Sequence, residues 1–352
     1  VDFRLHIGIF IQGSMGDALN VSALALGLKR KFPQSDITLF SASSSELLCG
    51  SGVIDFGEPL PGGNVEGFVR KVKPGFDIFC TVKYTVDYTF SERALGLPEV
   101  LAFKTAWERI YNKKYRGIHE KFLSDIPGFE KFCERHDMTA YDVRRESSGL
   151  EYTDDDQFLD LPQELAKVSR GIEYLKFVVV NNSGAAGKMS KSWRVDGWSK
   201  VIKHLRKRGL YVIQLGTPGE PELPGIHERF YGTLRETAAM VKLSMFGIFI
   251  EGGLAHVAKA VGTKSIVLFG PTPVRVFGYG ENINLRGSEC RPCWHSDGGV
   301  FDWSKVCHKT KKPVETSTPP CMESLDPESV ISAADSLLVE KGFISPGAGI
   351  NV

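Results

Sequence analysis

Twice in this chain an apolar run of strand length breaks into a glycine-bearing turn that opens straight into a helix with an apolar stripe. That doubled rhythm limits the fold to parallel βαβ layers. The first instance is residues 5–11, then Gln12 to Asp17 with glycines at Gly13 and Gly16, then a segment whose Val21, Leu24, Ala25, Leu28 and Phe32 recur at i, i+3, i+4, i+7 and i+11. Pro33 ends that helix, residues 37–40 read as a second strand, and residues 76–82 as a further buried strand after a basic helix around Val69. The second instance starts at residues 177–181, passes through Asn182 to Lys188, and enters a helix in which Trp198, Val201, Ile202 and Leu205 repeat at i, i+3, i+4 and i+7. Residues 211–215, 246–250 and 265–269 read as strands, residues 237–243 and 254–261 as helices, and a last helix covers residues 327–340. The fold class is therefore α/β, with two doubly wound halves.

Between the halves, residues 103–145 read as a long, charge-rich helical stretch punctuated by Pro127 and Gly128, and Asp154, Asp155 and Asp156 as an exposed connection. The boundary falls near residues 165–172, giving a first domain of 1–168, a second of 169–326, and a helix and tail at 327–352. A length of 352 residues suits two domains. With 42% hydrophobic and 24% charged residues, wholesale disorder, collagen and coiled coil are excluded. Lys plus Arg number 43 against 42 for Asp plus Glu, so the chain as a whole has no charge to attract nucleic acid or an anionic membrane. No window approaches the ~20 uninterrupted apolar residues of a membrane span. No basic segment, apolar block and cleavage site precede the first strand, which points to the cytoplasm, while a start at Val1 rather than Met leaves open a segment ahead of it.

Chemistry is expected where strands end. Asp17 follows the first strand at the start of the first helix, where open α/β sheets place their ligands. Two readings stand: a catalytic carboxylate, or an acid that serves only the helix amides and dipole. Gly13 and Gly16 fall short of a dinucleotide fingerprint. Asn182, Ser183, Gly184 and the residues to Lys188 can turn amides and hydroxyls toward phosphate oxygens, with Lys188 or Lys191 adding positive charge, or form an exposed polar loop. Glu220 closes the turn after residues 211–215, where its carboxylate can accept from a ribose diol. Glu251, Gly252, Gly253, Leu254, Ala255 and His256 put two glycines between a strand and a helix, which lets a phosphate approach the helix amides. His256 can face a ligand or be a satisfied core histidine. Thr272, after Phe269, Gly270 and Pro271, adds a hydroxyl at the same edge.

The ordered set Ser14-Met15-Gly16-Asp17, Lys191-Ser192-Trp193 with Trp198, Glu251-Gly252-Gly253-Leu254-Ala255-His256 and Phe269-Gly270-Pro271-Thr272 resembles glycosyltransferase family 9, the ADP-heptose heptosyltransferases. The resemblance spans most of the chain, with residues 50–165 contributing little. It implies a GT-B fold, two Rossmann-like domains facing a central cleft, with the acceptor bound mainly by the first and the nucleotide sugar by the second. By the same resemblance Asp17 is the general base for an inverting displacement and Lys191 stabilises the departing diphosphate, helped by Ser183, Gly253 and Leu254. Glu220 holds the ribose, and His256 and Thr272 line the donor pocket with Gly184, Glu251 and Gly252. No catalytic metal is implied. Glu251 stands where the family often has Asp, and the turn from Asn182 to Lys188 is longer than its pattern.

Two features remain. Residues 103–121 carry Lys104, Arg109, Lys113, Lys114, Arg116 and Lys121 against Glu108 and Glu120. They form either a site for an anionic acceptor or a solvated helix face. Cys290-x2-Cys293-x13-Cys307-x13-Cys321, within a Cys-rich element at 286–322, has the makings of a tetrahedral thiolate site for zinc or iron, structural because four ligands close it. Disulfides or free thiols are the alternative, and His295 and His308 are substitute ligands. Family members that modify autotransporter proteins resemble this in a four-Cys metal element. The expected activity is heptose transfer from ADP-heptose to a lipopolysaccharide inner-core or other glycan hydroxyl, at the inner face of the inner membrane. The alternatives are protein O-heptosylation of an autotransporter adhesin and a non-catalytic nucleotide-binding scaffold.

Overall fold

The computed structural model describes residues 4–11, 15–41, 45–49, 52–62, 64–116, 126–182, 191–293, 296–297, 300–301, 307–313 and 318–345. The chain forms two compact units: Val1–Asp160 with Arg275–Phe277 and Gly299–Phe301, and Leu161–Val274 with Gly278–Gly298 and Asp302–Val352.

The first unit is built on a five-stranded sheet. Strands β1 (Leu5–Ile11), β2 (Ser35–Ser41), β3 (Phe56–Pro59) and β4 (Ile78–Val82) are parallel, and β5 (Val86–Phe90) is an antiparallel edge on β4. Their order is β3-β2-β1-β4-β5, so the chain winds outward from β1 on one side and returns to its other side with β4. The ends of β1 and β4 thus form a topological switch point, the place where such sheets bind ligands. Every residue of β1 except His6 is buried, as expected of a strand covered on both faces. Helix Met15–Lys31 follows β1 and ends on Lys29, Arg30 and Lys31, whose charges complement its C-terminus.

The stretch at residues 103–145 is not one helix. It contains Pro98–Ile110, Ile126–His136 and Ala140–Ser148, the last started by a capping box between Thr139 and Asp142. Helix Ala140–Ser148 packs on β5 and on helix Met15–Lys31. Nor is Asp156 a loose connector: it takes two guanidinium nitrogens of Arg30 at 2.7 and 3.1 Å and the Thr153 N–H at 2.7 Å.

In the second unit six strands are all parallel: β6 (Phe177–Asn181), β7 (Tyr211–Leu215), β8 (Glu228–Phe230), β9 (Gly247–Ile250), β10 (Ser265–Phe269) and β11 (Ile283–Arg286). The order β11-β10-β9-β6-β7-β8 puts the switch point between β6 and β9. β6, β9 and β10 are buried along their whole lengths. Helices Val195–Lys207 and Pro327–Glu340 pack together, tied by Asp335, which receives His204 Nε2 at 2.8 Å and Arg208 Nη2 at 2.7 Å. Trp193 and Trp198 meet edge to face at 5.5 Å in the core, and Trp193 Nε1 donates to the Leu325 carbonyl at 3.2 Å. Gly197 is required by that packing, because a Cβ there would lie 2.6 Å from the Trp193 ring. Helix Pro162–Val168 packs on helix Leu234–Leu243 through Glu164–Arg235 and Lys167–Glu236 ion pairs, so it clusters with this unit, ahead of the 168/169 division read from the sequence. Among the described residues no helix is long and apolar enough to cross a membrane.

Candidate active site

In the first unit, Asp17 lies in the first turn of helix Met15–Lys31, just beyond the end of β1, with its side chain 42% exposed. Its Oδ1 is 3.9 Å from Nη2 of Arg144, a residue of helix Ala140–Ser148 whose side chain is only 7% exposed. Arg144 Nε donates to the Lys83 carbonyl at 2.9 Å, just past β4, while Nη1 is buried with no hydrogen-bond partner among the described residues. Tyr84 stacks on Phe129 at 4.4 Å. Its phenol is pushed up to about 12, first by burial and then by the Asp17 charge, with Arg144 opposing. The switch point of this unit therefore carries an accessible carboxylate backed by a buried guanidinium. Arg144 and Tyr84 were not singled out in the sequence, where Arg144 is one more charge in a helical stretch and nothing local ties it to Asp17.

The second unit gathers most of the residues expected to bind a donor. Asn182, at the end of β6, accepts the Trp193 N–H at 2.8 Å and donates to the Trp193 carbonyl at 3.0 Å, which fixes the segment carrying Lys191. Lys191 Nζ donates to Glu251 Oε2 and, at 3.5 Å, to the Glu251 carbonyl. Thr272 Oγ1 donates to the same Oε2 at 2.6 Å. Lys191, Glu251 and Thr272 are all buried, so the β6/β9 switch point is closed by a desolvated ion pair and a hydroxyl. Burial works to raise the Glu251 carboxyl, but the Lys191 ammonium and the Thr272 hydroxyl hold it below the usual range. The sequence offered Lys191 as a cation for a diphosphate; the structure has its ammonium seated on Glu251.

Gly252 enters helix Gly253–Ala260 in extended backbone, with no side-chain cap and no acidic residue in the first turn. Among the described residues, a Cβ at Gly252 would meet nothing closer than the Ile250 carbonyl at 3.9 Å, so their packing does not demand the glycine. What the missing side chain keeps open is the approach to the amides of Gly253 and Leu254 at the positive helix end. His256 lies one turn in, its Nδ1 2.6 Å from the hydroxyl of Tyr279. Glu220 sits apart, on the turn after β7, where its Oε1 accepts the Thr217 hydroxyl at 2.9 Å and its carbonyl accepts Arg229 Nη2 at 2.8 Å. Ser183 and Gly184 lie outside the described residues, and Asp17 belongs to the other unit.

Cys290, Cys293, Cys307 and Cys321 line one cavity of about 300 Å3 together with His308, and none is in a disulfide. Cys293 N–H donates to the Pro271 carbonyl at 3.0 Å, next to Thr272, which ties the cavity to the turn after β10. Burial and the neighbouring Cys290, Cys293 and Cys307 push the Cys321 thiol up to about 12; at Cys307, burial is outweighed by hydrogen bonds from Thr310 and Lys309, which hold its thiol low. Among the described residues, however, no three His, Cys, Asp or Glu are arranged to hold a metal ion. The spacing thus brought the thiols together without a closed ligand set, and His295 lies outside the described residues. Of the basic stretch, Lys104 and Lys114 are paired with Glu108 and Glu146, while Arg109, Lys113 and Arg116 are exposed. Lys121 is outside the described residues.

Residues 124–297 match the sequence profile of glycosyltransferase family 9 (heptosyltransferase). Lipopolysaccharide heptosyltransferase 1 of Pseudomonas aeruginosa is 26% identical over 201 residues, covering 50% of this chain and 51% of that protein, so the chain spans about half the length of the curated relative it matches. Among solved structures, the family 9 glycosyltransferase of Veillonella parvula superimposes with a TM-score of 0.59 at 15% identity, covering 96% of this chain and 98% of that one. The dodecameric iron-containing heptosyltransferase TibC of Escherichia coli H10407, solved with ADP-D-β-D-heptose, gives 0.58 at 15% identity, over 97% of this chain and 77% of that one. These likenesses agree on an α/β fold with two parallel-sheet domains, the GT-B class. The profile match takes in Lys191, Glu251, Gly252, Gly253 and Thr272, and together these likenesses support a protein of glycosyltransferase family 9.

Proposed function

We propose that this protein transfers heptose from ADP-heptose to an acceptor hydroxyl in a single inverting displacement. The observation that carries the reading is the buried Lys191–Glu251–Thr272 cluster beside a helix N-terminus with no side-chain cap, at the β6/β9 switch point. In this mechanism Asp17 accepts the proton of the acceptor hydroxyl as its oxygen attacks the anomeric carbon. The bond from that carbon to the diphosphate oxygen breaks, its electron pair leaves with ADP, and the transition state resembles an oxocarbenium ion. Charge growing on the diphosphate is met by the amides of Gly253 and Leu254 and by Lys191, whose ammonium Glu251 and Thr272 keep in place. Glu220 takes the ribose hydroxyls, and Ser183, Gly184, His256 and Thr272 complete the donor pocket. Protein groups supply the charge neutralisation, so the route needs no catalytic metal.

The acceptor we favour is an anionic, lipid-linked glycan of the lipopolysaccharide inner core, met at the cytoplasmic face of the membrane. Exposed Arg109, Lys113 and Arg116 support an anionic partner. A second reading, transfer to a protein, is favoured by the four thiols around one cavity and by the likeness to TibC, an iron-containing enzyme solved with ADP-heptose. In both, Cys290, Cys293, Cys307 and Cys321 would hold a structural zinc or iron, supplying a cross-link between the loop and the Pro271–Thr272 turn and no chemistry at the sugar.

The test is transfer from ADP-heptose to lipid A precursors and to adhesin fragments, followed by mass spectrometry, with wild type and Asp17→Asn side by side. Transfer by wild type alone supports the mechanism. Equal activity of the two removes Asp17 as base, and nucleotide binding with no transfer to any acceptor favours a scaffold.

A further inference from the structure

Tyr279 is 4% exposed, lies between the helix Val274–Phe277 and β11, and has no part in the chemistry above. Its hydroxyl is 2.6 Å from His256 Nδ1, with the two rings perpendicular at 89° and their centroids 5.5 Å apart. We infer that Tyr279 is a positioning residue: its phenol donates to His256 Nδ1 and so fixes the imidazole tautomer that carries hydrogen on Nε2, the form that can donate to a phosphate oxygen of the nucleotide. The inference rests on the reading of this site as a nucleotide-sugar pocket.

Four observations carry it. At 2.6 Å the two groups are hydrogen-bonded, and between a phenol and a neutral imidazole the phenol O–H is the stronger donor and the bare ring nitrogen the stronger acceptor, so the phenol donates to Nδ1. Lys259 Nζ lies over the Tyr279 ring at 5.6 Å and pairs with Glu281 at 2.6 Å; a cation on the ring face draws electrons from the phenol and strengthens it as a donor. The Tyr279 backbone is pinned, its carbonyl accepting the Asn282 N–H at 3.2 Å and Asn284 Nδ2 at 2.9 Å. Finally, His256 is the fourth residue of helix Gly253–Ala260, and helical side chains lean toward the N-terminus, which here is the uncapped end offered to the diphosphate. The opposite tautomer would bring a lone pair rather than an N–H to the same oxygens. Which nitrogen carries the proton is set by the bond the other nitrogen makes.

Tyr279→Phe removes the hydroxyl and keeps the ring, its edge contact and the cation over it. The full-length protein, 15N-labelled at histidine, reports the tautomer through the two ring-nitrogen shifts of His256, assigned by their loss in His256→Gln. The wild type should show an unprotonated, hydrogen-bonded Nδ1 and a protonated Nε2; in Tyr279→Phe both shifts should move toward the average of two tautomers. In calorimetry with ADP, Tyr279→Phe should bind about twofold more weakly, because only the part of the imidazole that carries hydrogen on Nε2 stays competent, with the donor KM rising alike and kcat little changed. His256→Gln carries an amide N–H near the Nε2 position and has no tautomers, so adding Tyr279→Phe to it should leave ADP affinity unchanged.

Unchanged His256 shifts in Tyr279→Phe overturn the inference. So do altered shifts with unaltered ADP affinity, or the same loss of affinity in the His256→Gln background, which would mean that the phenol acts by another route. If the wild type itself fails to bind ADP, the nucleotide reading falls, and the spectra alone decide whether the phenol holds the imidazole.

Discussion

Replacing Lys191 with methionine keeps the length and apolar stem of the side chain and removes its charge. Lys191 and Glu251 are 9% and 11% exposed at the side chain, so the variant strands a carboxylate out of water. Taking one partner from a buried ion pair costs about 3–5 kcal/mol. The Thr272 hydroxyl still donates to Glu251, which places the loss at the lower end, roughly 3 kcal/mol. For a unit of this size that is a fall of about 6–12 °C in melting temperature.

The pH dependence has a definite sign. In the wild type Glu251 is held below its unfolded value, so its contribution is complete above about pH 4.3 and is lost as pH falls through the lower, folded value. In Lys191→Met burial acts without the ammonium to oppose it, the folded value rises above the unfolded one, and the penalty is largest at neutral pH. The stability gap between the two proteins should therefore narrow from pH 7 toward pH 4 as Glu251 takes up a proton. Urea melts followed by tryptophan fluorescence are suited to this, because Trp193 and Trp198 lie in the core of the same unit. Lys191→Met with Glu251→Leu, which removes both charges, should recover most of the loss. A gap under about 1 kcal/mol at pH 7, or one that widens on acidification, would refute the reasoning.

Three further outcomes are expected. Asp17→Asn should lower kcat by about 10^2–10^4-fold while ADP affinity and melting temperature stay near wild type; a parallel loss of binding would make Asp17 a structural residue. Gly252→Ala should change stability by less than about 0.5 kcal/mol, since its Cβ meets no close atom among the described residues, yet weaken ADP binding severalfold in calorimetry. Elemental mass spectrometry of protein purified without chelator should find zinc or iron bound to the wild type and depleted in Cys290→Ser, and a metal-free wild type would remove the structural-metal proposal.

The alternation of apolar runs, glycine turns and striped helices was enough to read both parallel sheets, because β1, β4, β6, β9 and β10 are buried and their sequences say so. The edges were less legible. β3, β5, β8 and β11 are short or partly exposed, and β5 pairs antiparallel through a turn that carries no glycine signal. Residues that share one strand-turn-helix segment, such as Glu251, Gly252, Gly253 and His256, could be grouped from their spacing alone. Partners supplied from afar did not: Arg144 reaches Asp17 from another helix, and Tyr279 reaches His256 from the approach to β11. Lys191 was legible as a cation but not as one already seated on Glu251, since a buried pair 60 residues apart leaves no local pattern.

The most direct test of the account is calorimetric titration of the full-length protein with ADP, UDP and GDP, followed by ADP-heptose. The account predicts selective binding of ADP, and ADP-heptose binding that weakens on Gly252→Ala. Failure of the folded wild type to bind any of these nucleotides, or a preference for UDP or GDP, would contradict an ADP-heptose pocket at the β6/β9 switch point.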